Sequence, residues 1–207
     1  MPFVLPRLYA ITDARLSGLS HAEQVLRLAG GGARLIQLRE KHRDAREFFR
    51  EAEAAFEEAR RAGVPLIIND RVDIALALGA DGVHLGQDDL PPEAARRILG
   101  ERAVIGYSTH NLEQAVAAAR LPIDYLAIGP IFQTSSKDNS DPVIGLDSLR
   151  RVREAVPDLP LVAIGGITPQ NAQETLAAGA DSLAVISALL AEPAEIEAHT
   201  RAWSARF

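Results

Sequence analysis

Eight short apolar runs, each followed by a segment of helical period, constrain this chain more than any other feature. The runs cover residues 8–12, 33–39, 65–70, 82–86, 103–109, 124–129, 161–166 and 182–187. They are rich in Ile, Val, Leu and Ala and too short for helices, so they read as strands buried on both faces. After them, residues 21–29, 45–62, 71–78, 92–99, 112–120, 146–155, 169–178 and 192–204 repeat Ala, Leu, Arg and Glu at helical spacing. Strand followed by helix, eight times over, predicts an α/β fold that closes into a (β/α)8 TIM barrel. An open doubly wound sheet is the alternative arrangement of the same units. At 207 residues the chain fits a single domain, 1–207, better than two.

An internal echo supports the repetition. Leu78-Gly79-Ala80-Asp81-Gly82-Val83 and Ala178-Gly179-Ala180-Asp181-Ser182-Leu183 both end a helix on glycine and restart a strand within a few residues. These read as fold residues. The one long irregular stretch is 132–145, polar and containing Pro142, a kind of loop that more often serves function than framework.

The chain has no cysteine, which excludes a disulfide, a thiolate metal site and a cysteine nucleophile. Any metal must use oxygen or imidazole, and a hard cation such as Mg²⁺ is the default. Net charge is −6, with acids and bases mixed along the helices, which argues against a nucleic-acid or anionic-membrane surface. The first ten residues contain two prolines and lack the pattern of a signal peptide, and no apolar run approaches membrane-spanning length, so a cytoplasmic protein is expected.

In a parallel barrel the chemistry gathers where strands end. Strand 2 ends in Gln37-Leu38-Arg39-Glu40-Lys41; if residues 33–39 are strand, alternation turns Gln37, Arg39 and Lys41 one way and Glu40 the other. Taken alone, that pattern serves equally as an anion site or as a solvated exit into a charged helix. Strand 3 ends in Asn69-Asp70, strand 4 in Gln87-Asp88-Asp89 and strand 5 in Ser108-Thr109-His110. Strand 6 leads into Thr134-Ser135-Ser136-Lys137, strand 7 ends in Gly165-Gly166 and strand 8 in Ser187.

Asp70 and Asp89 follow adjacent strands at similar height and form a candidate Mg²⁺ pair, although Asp70 also suits a helix N-cap and Asp89 a first-turn acid. Gly165-Gly166 before Thr168-Pro169 suggests backbone N–H groups open to an anion at a helix start, with Ser187, Thr134 and Ser136 adding hydroxyls. Lys137 sits in the long loop, within reach of either anion or simply solvated. His110 is a candidate general base or a cap, His84 a core histidine, and Trp203 and Phe207 packing residues. Together these suggest transfer from a diphosphate ester to a phosphorylated acceptor.

In these motifs the sequence resembles the thiamine phosphate synthase family over nearly its whole length. The stretches that carry the resemblance include Leu8-Tyr9-Ala10-Ile11-Thr12-Asp13, Gln37 to Lys41, Pro65-Leu66-Ile67-Ile68-Asn69-Asp70-Arg71, Ile105-Gly106-Tyr107-Ser108, Gly129-Pro130-Ile131-Phe132 and Val162-Ala163-Ile164-Gly165-Gly166-Ile167. The resemblance implies joining a pyrimidinylmethyl diphosphate to a thiazole phosphate, with Mg²⁺ on Asp70 and Asp89. It further implies that Gln37, Arg39, Lys41, Asn69, Ser108 and Lys137 hold the pyrimidine diphosphate, Arg39, Lys41, Ser108 and Lys137 acting in catalysis. Thr134, Ser136, Gly166, Ile186 and Ser187 would hold the thiazole phosphate. Gln133 and Ser136 depart from the commoner family pattern of proline and threonine, and the hydroxyl is kept.

Two other readings are open. Thiazole tautomerases share the fold and use a histidine matching His110, but tend to lose the cation and carboxylate sets retained here. A catalytically silent barrel that binds thiamine phosphates is the other. The expected partners are small phosphorylated substrates, with no nucleic acid or membrane; the sequence carries no expectation about oligomeric state.

Overall fold

The computed structural model describes residues 4–134 and 142–207. Eight parallel strands close into one barrel in chain order, β1 (Leu8–Ile11), β2 (Ile36–Leu38), β3 (Leu66–Asn69), β4 (Gly82–Leu85), β5 (Val104–Thr109), β6 (Tyr125–Ile128), β7 (Leu161–Ile164) and β8 (Ser182–Val185). Pairing of β1 with β8, Tyr9 opposite Ala184, seals the sheet and excludes the open doubly wound arrangement.

Helices follow as α1 (Ala14–Ser17), α2 (His21–Gly30), α3 (Ala45–Ala62), α4 (Val72–Leu78), α5 (Pro92–Leu99), α6 (Leu112–Ala118), α7 (Gly145–Ala155), α8 (Ala172–Ala177), α9 (Ser187–Leu190) and α10 (Ile196–Ser204). Helices α3 and α5 keep the bounds expected from their apolar spacing. Helix α1 was not expected: Asp13 caps it by accepting the Leu16 N–H, and Gly18 at φ 70° stops it after one turn. The segment expected as one helix over 192–204 is a 3₁₀ turn at Pro193–Glu195 leading into α10, and α9 stands before it. Trp203 is buried against the core, the packing role expected of it, whereas Phe207 is exposed and only flanks the Trp203 ring.

The repeated Gly-Ala-Asp segment acquires a physical role at the floor of the barrel. Asp81 accepts the Leu66 N–H and Asp181 the Leu161 N–H, both at 2.8 Å, each tying its strand's entry to the preceding strand. Asp124 does the same for Ile105 at 2.7 Å. Arg153 then clamps Asp181 at 2.6 Å while donating to the carbonyls of Val156, Pro157, Leu159 and Gly179. Arg153→Ala hands these partly exposed acceptors to water and is expected to lower stability by about 1–2 kcal/mol, because a typical intramolecular hydrogen bond contributes about 0.5–1.5 kcal/mol net. Urea unfolding checks this, with kcat per folded molecule unchanged, since the clamp lies at the opposite end from the strand termini that carry the chemistry.

Candidate active site

The C-terminal strand ends surround a cavity of about 1040 Å³. Its wall follows strand alternation: Tyr9 and Ile11 from β1, Gln37 from β2, Asn69 from β3, His84 from β4, Ser108 from β5, Ala127 from β6, Ile164 from β7 and Ala184 from β8. Every described residue expected to hold the pyrimidine diphosphate or the metal lines it: Gln37, Arg39, Lys41, Asn69, Asp70, Asp89 and Ser108. A smaller pocket adjoins it, sharing Ser108 and Ile186, and collects Thr134, Gly166, Ile186 and Ser187, the described members of the expected thiazole-phosphate set. Ser136 and Lys137 lie outside the described residues.

Gln37, Arg39 and Lys41 reach the cavity, but not by the alternation the sequence suggested, because β2 stops at Leu38. Gln37 alone points inward as a strand residue. Arg39 is steered by Asp13, with Nη1 donating to Oδ2 at 3.3 Å, and by its own N–H, which donates to Thr12 Oγ1. Lys41 Nζ donates to Asp70 Oδ2 at 2.5 Å. Glu40 does turn away, as expected. Its carboxylate accepts the N–H groups of Lys41 and His42, both at 2.8 Å, and those contacts fold the loop that presents Lys41.

Behind that loop His21 is fully buried, with Nε2 donating to Glu40 and Nδ1 accepting from Thr12 Oγ1. Both ring contacts are met by the neutral ring. Burial pushes its pKa below the ordinary value, outweighing Glu40 and Glu51, which raise it; Arg43 adds to the lowering. Below about pH 6.5 the unfolded chain therefore takes up a proton that the folded chain refuses, and stability is lost as the pH drops, by up to about 1.4 kcal/mol per unit. Urea titrations at about pH 7.5 and about pH 5.5 test this, His21→Asn being expected to shrink the difference. An unchanged difference would assign the slope to other groups.

Asp70 does not cap a helix. Arg71 occupies the N-cap of α4, and Asp70 sits at φ 63° in the left-handed region, with its N–H donating to the His84 carbonyl at 2.8 Å. A non-glycine residue there is strained and is held only by its surroundings. The result is a carboxylate aimed back over the barrel mouth, between Lys41 and Asp89. Burial raises the Asp70 pKa and the adjacent Asp89 carboxyl, within hydrogen-bond reach, adds to it, while Lys41 opposes both. Asp89 Oδ2 accepts the Gly86 N–H at 2.6 Å, and Asp88 is exposed, the solvated member of the pair.

The glycine turn after β7 is set by crowding. Gly166 has φ 65°, and a Cβ there would lie 2.5 Å from the Gln133 carbonyl oxygen. The expected helix start at Pro169 is not found: α8 begins at Ala172, and the Thr168 N–H is taken by Asn171 Oδ1 at 2.8 Å. The expected anion cradle would therefore have only the glycine turn and the strand 8 end to draw on, without the α8 terminus.

His110 lines both pockets, and its Nδ1 donates to the Gly129 carbonyl at 2.8 Å. His84 is buried and hydrogen-bonded at both ring nitrogens, as a core histidine should be, and it also forms part of the cavity floor. Sequence reasoning missed the steering role of Asp13 and the rim pair Arg15 and His42, whose Nη1 and Nε2 meet at 2.9 Å. Asp13 stood within a quoted motif; Arg15 comes from helix α1 and His42 from the loop after β2, and they leave no local signal.

Comparison with known proteins agrees along the chain. The family described as thiamine monophosphate synthase matches residues 8–189. A thiamine-phosphate synthase of Chloroflexus aurantiacus is 51% identical over 186 residues, covering 89% of this chain and 85% of the relative. One from Koribacter versatilis is 50% identical over 199 residues, covering 91% of each. A solved thiamine phosphate pyrophosphorylase from Pyrococcus furiosus superposes with a TM-score of 0.84 at 39% identity, covering 94% of this chain and 92% of its own.

Proposed function

The chain belongs to the thiamine monophosphate synthase family, and on that premise we propose that it transfers a pyrimidinylmethyl group from its diphosphate to a thiazole phosphate, giving thiamine phosphate and pyrophosphate. The observation that carries this reading is the meeting, at one barrel mouth, of an acid pair, two cations and an adjoining pocket of glycine and hydroxyl residues. The two anionic ends of the substrates have separate, neighbouring seats in such an arrangement. Among the described residues no helix is long and apolar enough to cross a membrane.

Gln37, Asn69 and Ser108 would surround the pyrimidine and its ester. Asn69 supports this, because its Nδ2 is buried with no hydrogen-bond partner among the described residues and offers a donor to a bound ligand. Two half-buried carboxylates in contact are hard oxygen donors that call for a cation, which fits Mg²⁺. Bound by Asp70 and Asp89, the ion would neutralise charge growing on the departing diphosphate.

The chain's residues favour ionisation ahead of bond formation. As the C–O bond breaks, its electron pair leaves with pyrophosphate and the methylene carbon becomes a resonance-stabilised cation. Arg39 and Lys41 face the charge that develops on the leaving group, and Lys137 would join them by family resemblance. With the thiazole phosphate held by Thr134, Gly166, Ile186 and Ser187, which Ser136 would join by family resemblance, the ring nitrogen then donates its lone pair to the carbon. That nitrogen has no proton to lose, so His110 is not needed as a base, and placement of the two substrates is a principal contribution of the protein.

The test is incubation of the purified chain with both phosphorylated substrates and Mg²⁺. Pyrophosphate and thiamine phosphate are expected in equal amounts. Interconversion of thiazole tautomers without pyrophosphate would replace this reading with the tautomerase that uses His110. Product binding without turnover at any Mg²⁺ concentration would make the chain a binding module.

A further inference from the structure

A continuous line of hydrogen bonds, buried except at its Ser108 end, runs under the cavity from Gln37 to Ser108. Gln37 Nε2 donates to the Tyr9 hydroxyl at 3.0 Å; the Tyr9 and Tyr125 hydroxyls meet at 2.8 Å. The Tyr125 hydroxyl meets His84 Nδ1 at 3.0 Å, and His84 Nε2 meets Ser108 Oγ at 2.8 Å. The three middle members come from β1, β6 and β4, strands that are not neighbours, so the line crosses the barrel interior. Room is made for it on β5, where a Cβ on Gly106 would sit 2.3 Å from the Tyr125 hydroxyl. His84 stacks on the Tyr125 ring, centroids 5.5 Å apart, and Tyr9 meets it edge-on at 82°.

A hydroxyl has a single proton, and a neutral imidazole donates from one nitrogen while accepting at the other. With the Gln37 nitrogen on Tyr9, the polarity of the line follows. Tyr9 donates to Tyr125, Tyr125 to His84 Nδ1, and His84 Nε2–H to Ser108 Oγ. The Ser108 proton is then left for the cavity, and so is the Gln37 carbonyl oxygen. Reversing the line requires the Gln37 amide to turn over and Ser108 to spend its proton on His84. The two ends therefore change polarity together.

We propose that Tyr9, Tyr125 and His84 act as positioning residues, a relay that holds Gln37 as an acceptor and Ser108 as a donor toward the pyrimidine diphosphate. This rests on the substrate reading given above. An acceptor against the pyrimidine's amino group and a donor against the leaving oxygen both strengthen as the bond ionises, because the ring turns positive and the oxygen negative. Contacts that strengthen toward the transition state raise kcat more than they lower KM.

Two measurements test it. In ¹⁵N-histidine spectra of the intact chain, His84 is expected as a single neutral tautomer with Nε2 protonated, and Tyr125→Phe is expected to abolish that preference. The opposite tautomer, or no response to Tyr125→Phe, overturns the relay whatever reaction the chain performs. In kinetics, Tyr125→Phe is expected to lower kcat about tenfold, with KM for thiazole phosphate changed less than about twofold. In the wild-type background the double variant of Gln37→Ala and Ser108→Ala should lose at least about threefold less kcat than the product of the separate losses. That coupling should vanish once Tyr125→Phe is present, whereas coupling that survives would run through the substrate instead, and the relay would be wrong. Absence of synthase turnover in the wild type, with the tautomer as expected, would sink the substrate reading and leave the relay standing.

Discussion

Asp70→Asn is expected to lower kcat by about a hundredfold or more while raising Tm. The loss follows from removing one of the two carboxylates that would hold the divalent cation at the leaving group, a preorganised electrostatic contribution on the scale of about 3–4 kcal/mol. The gain in stability has two physical sources. Burial and the neighbouring Asp89 raise the Asp70 pKa, so the ionised carboxylate is less favourable in the folded chain than in the unfolded one. Asn also tolerates the left-handed backbone that the residue occupies at φ 63°. Saturating turnover as a function of Mg²⁺, measured beside a thermal melt, checks both halves. Unchanged activity would remove Asp70 from the metal site, and a lowered Tm would mean that its bond to Lys41 outweighs the crowding of the acids.

Lys41→Ala is expected to cost about a hundredfold in kcat, with a smaller effect on stability. Its side chain is 43% exposed, so the ion pair with Asp70 adds little to folding. In turnover it counts for more, because with Mg²⁺ on the acid pair its charge is directed to the departing diphosphate. Lys41→Arg should recover part of the rate, since charge is kept and only reach and geometry change. Pyrophosphate release at saturating substrates is the measurement. A loss below about threefold would mean that the lysine serves Asp70 alone.

These two residues also mark how far the sequence carried. Both were found from position alone, as polar residues where apolar runs stop. What they do to one another was not legible: the Lys41 to Asp70 bond joins loops 29 residues apart. The same holds for the relay. Tyr9 stands only within a stretch that carries the family resemblance, Tyr125 has no reading from the sequence and His84 reads as core, since nothing in a linear pattern places β1, β4 and β6 face to face across an interior. Arg39 lines the cavity without being a strand residue, because where a strand ends depends on pairing with its neighbours as well as on its own alternation.

By itself the sequence determined the number and order of the eight strands, the turns that restart them on Gly and Asp, and the residue types offered at each strand end. These are local matters of side-chain period, backbone freedom and turn chemistry. Only the tertiary structure decided that β8 closes on β1, that Asp70 turns into left-handed backbone beside Asp89, that α8 begins at Ala172 and not at the glycine turn, and that Gln37 and Ser108 share one line of hydrogen bonds. Each of these is a contact between residues distant in the chain, fixed by burial and by the need of buried polar groups to find partners.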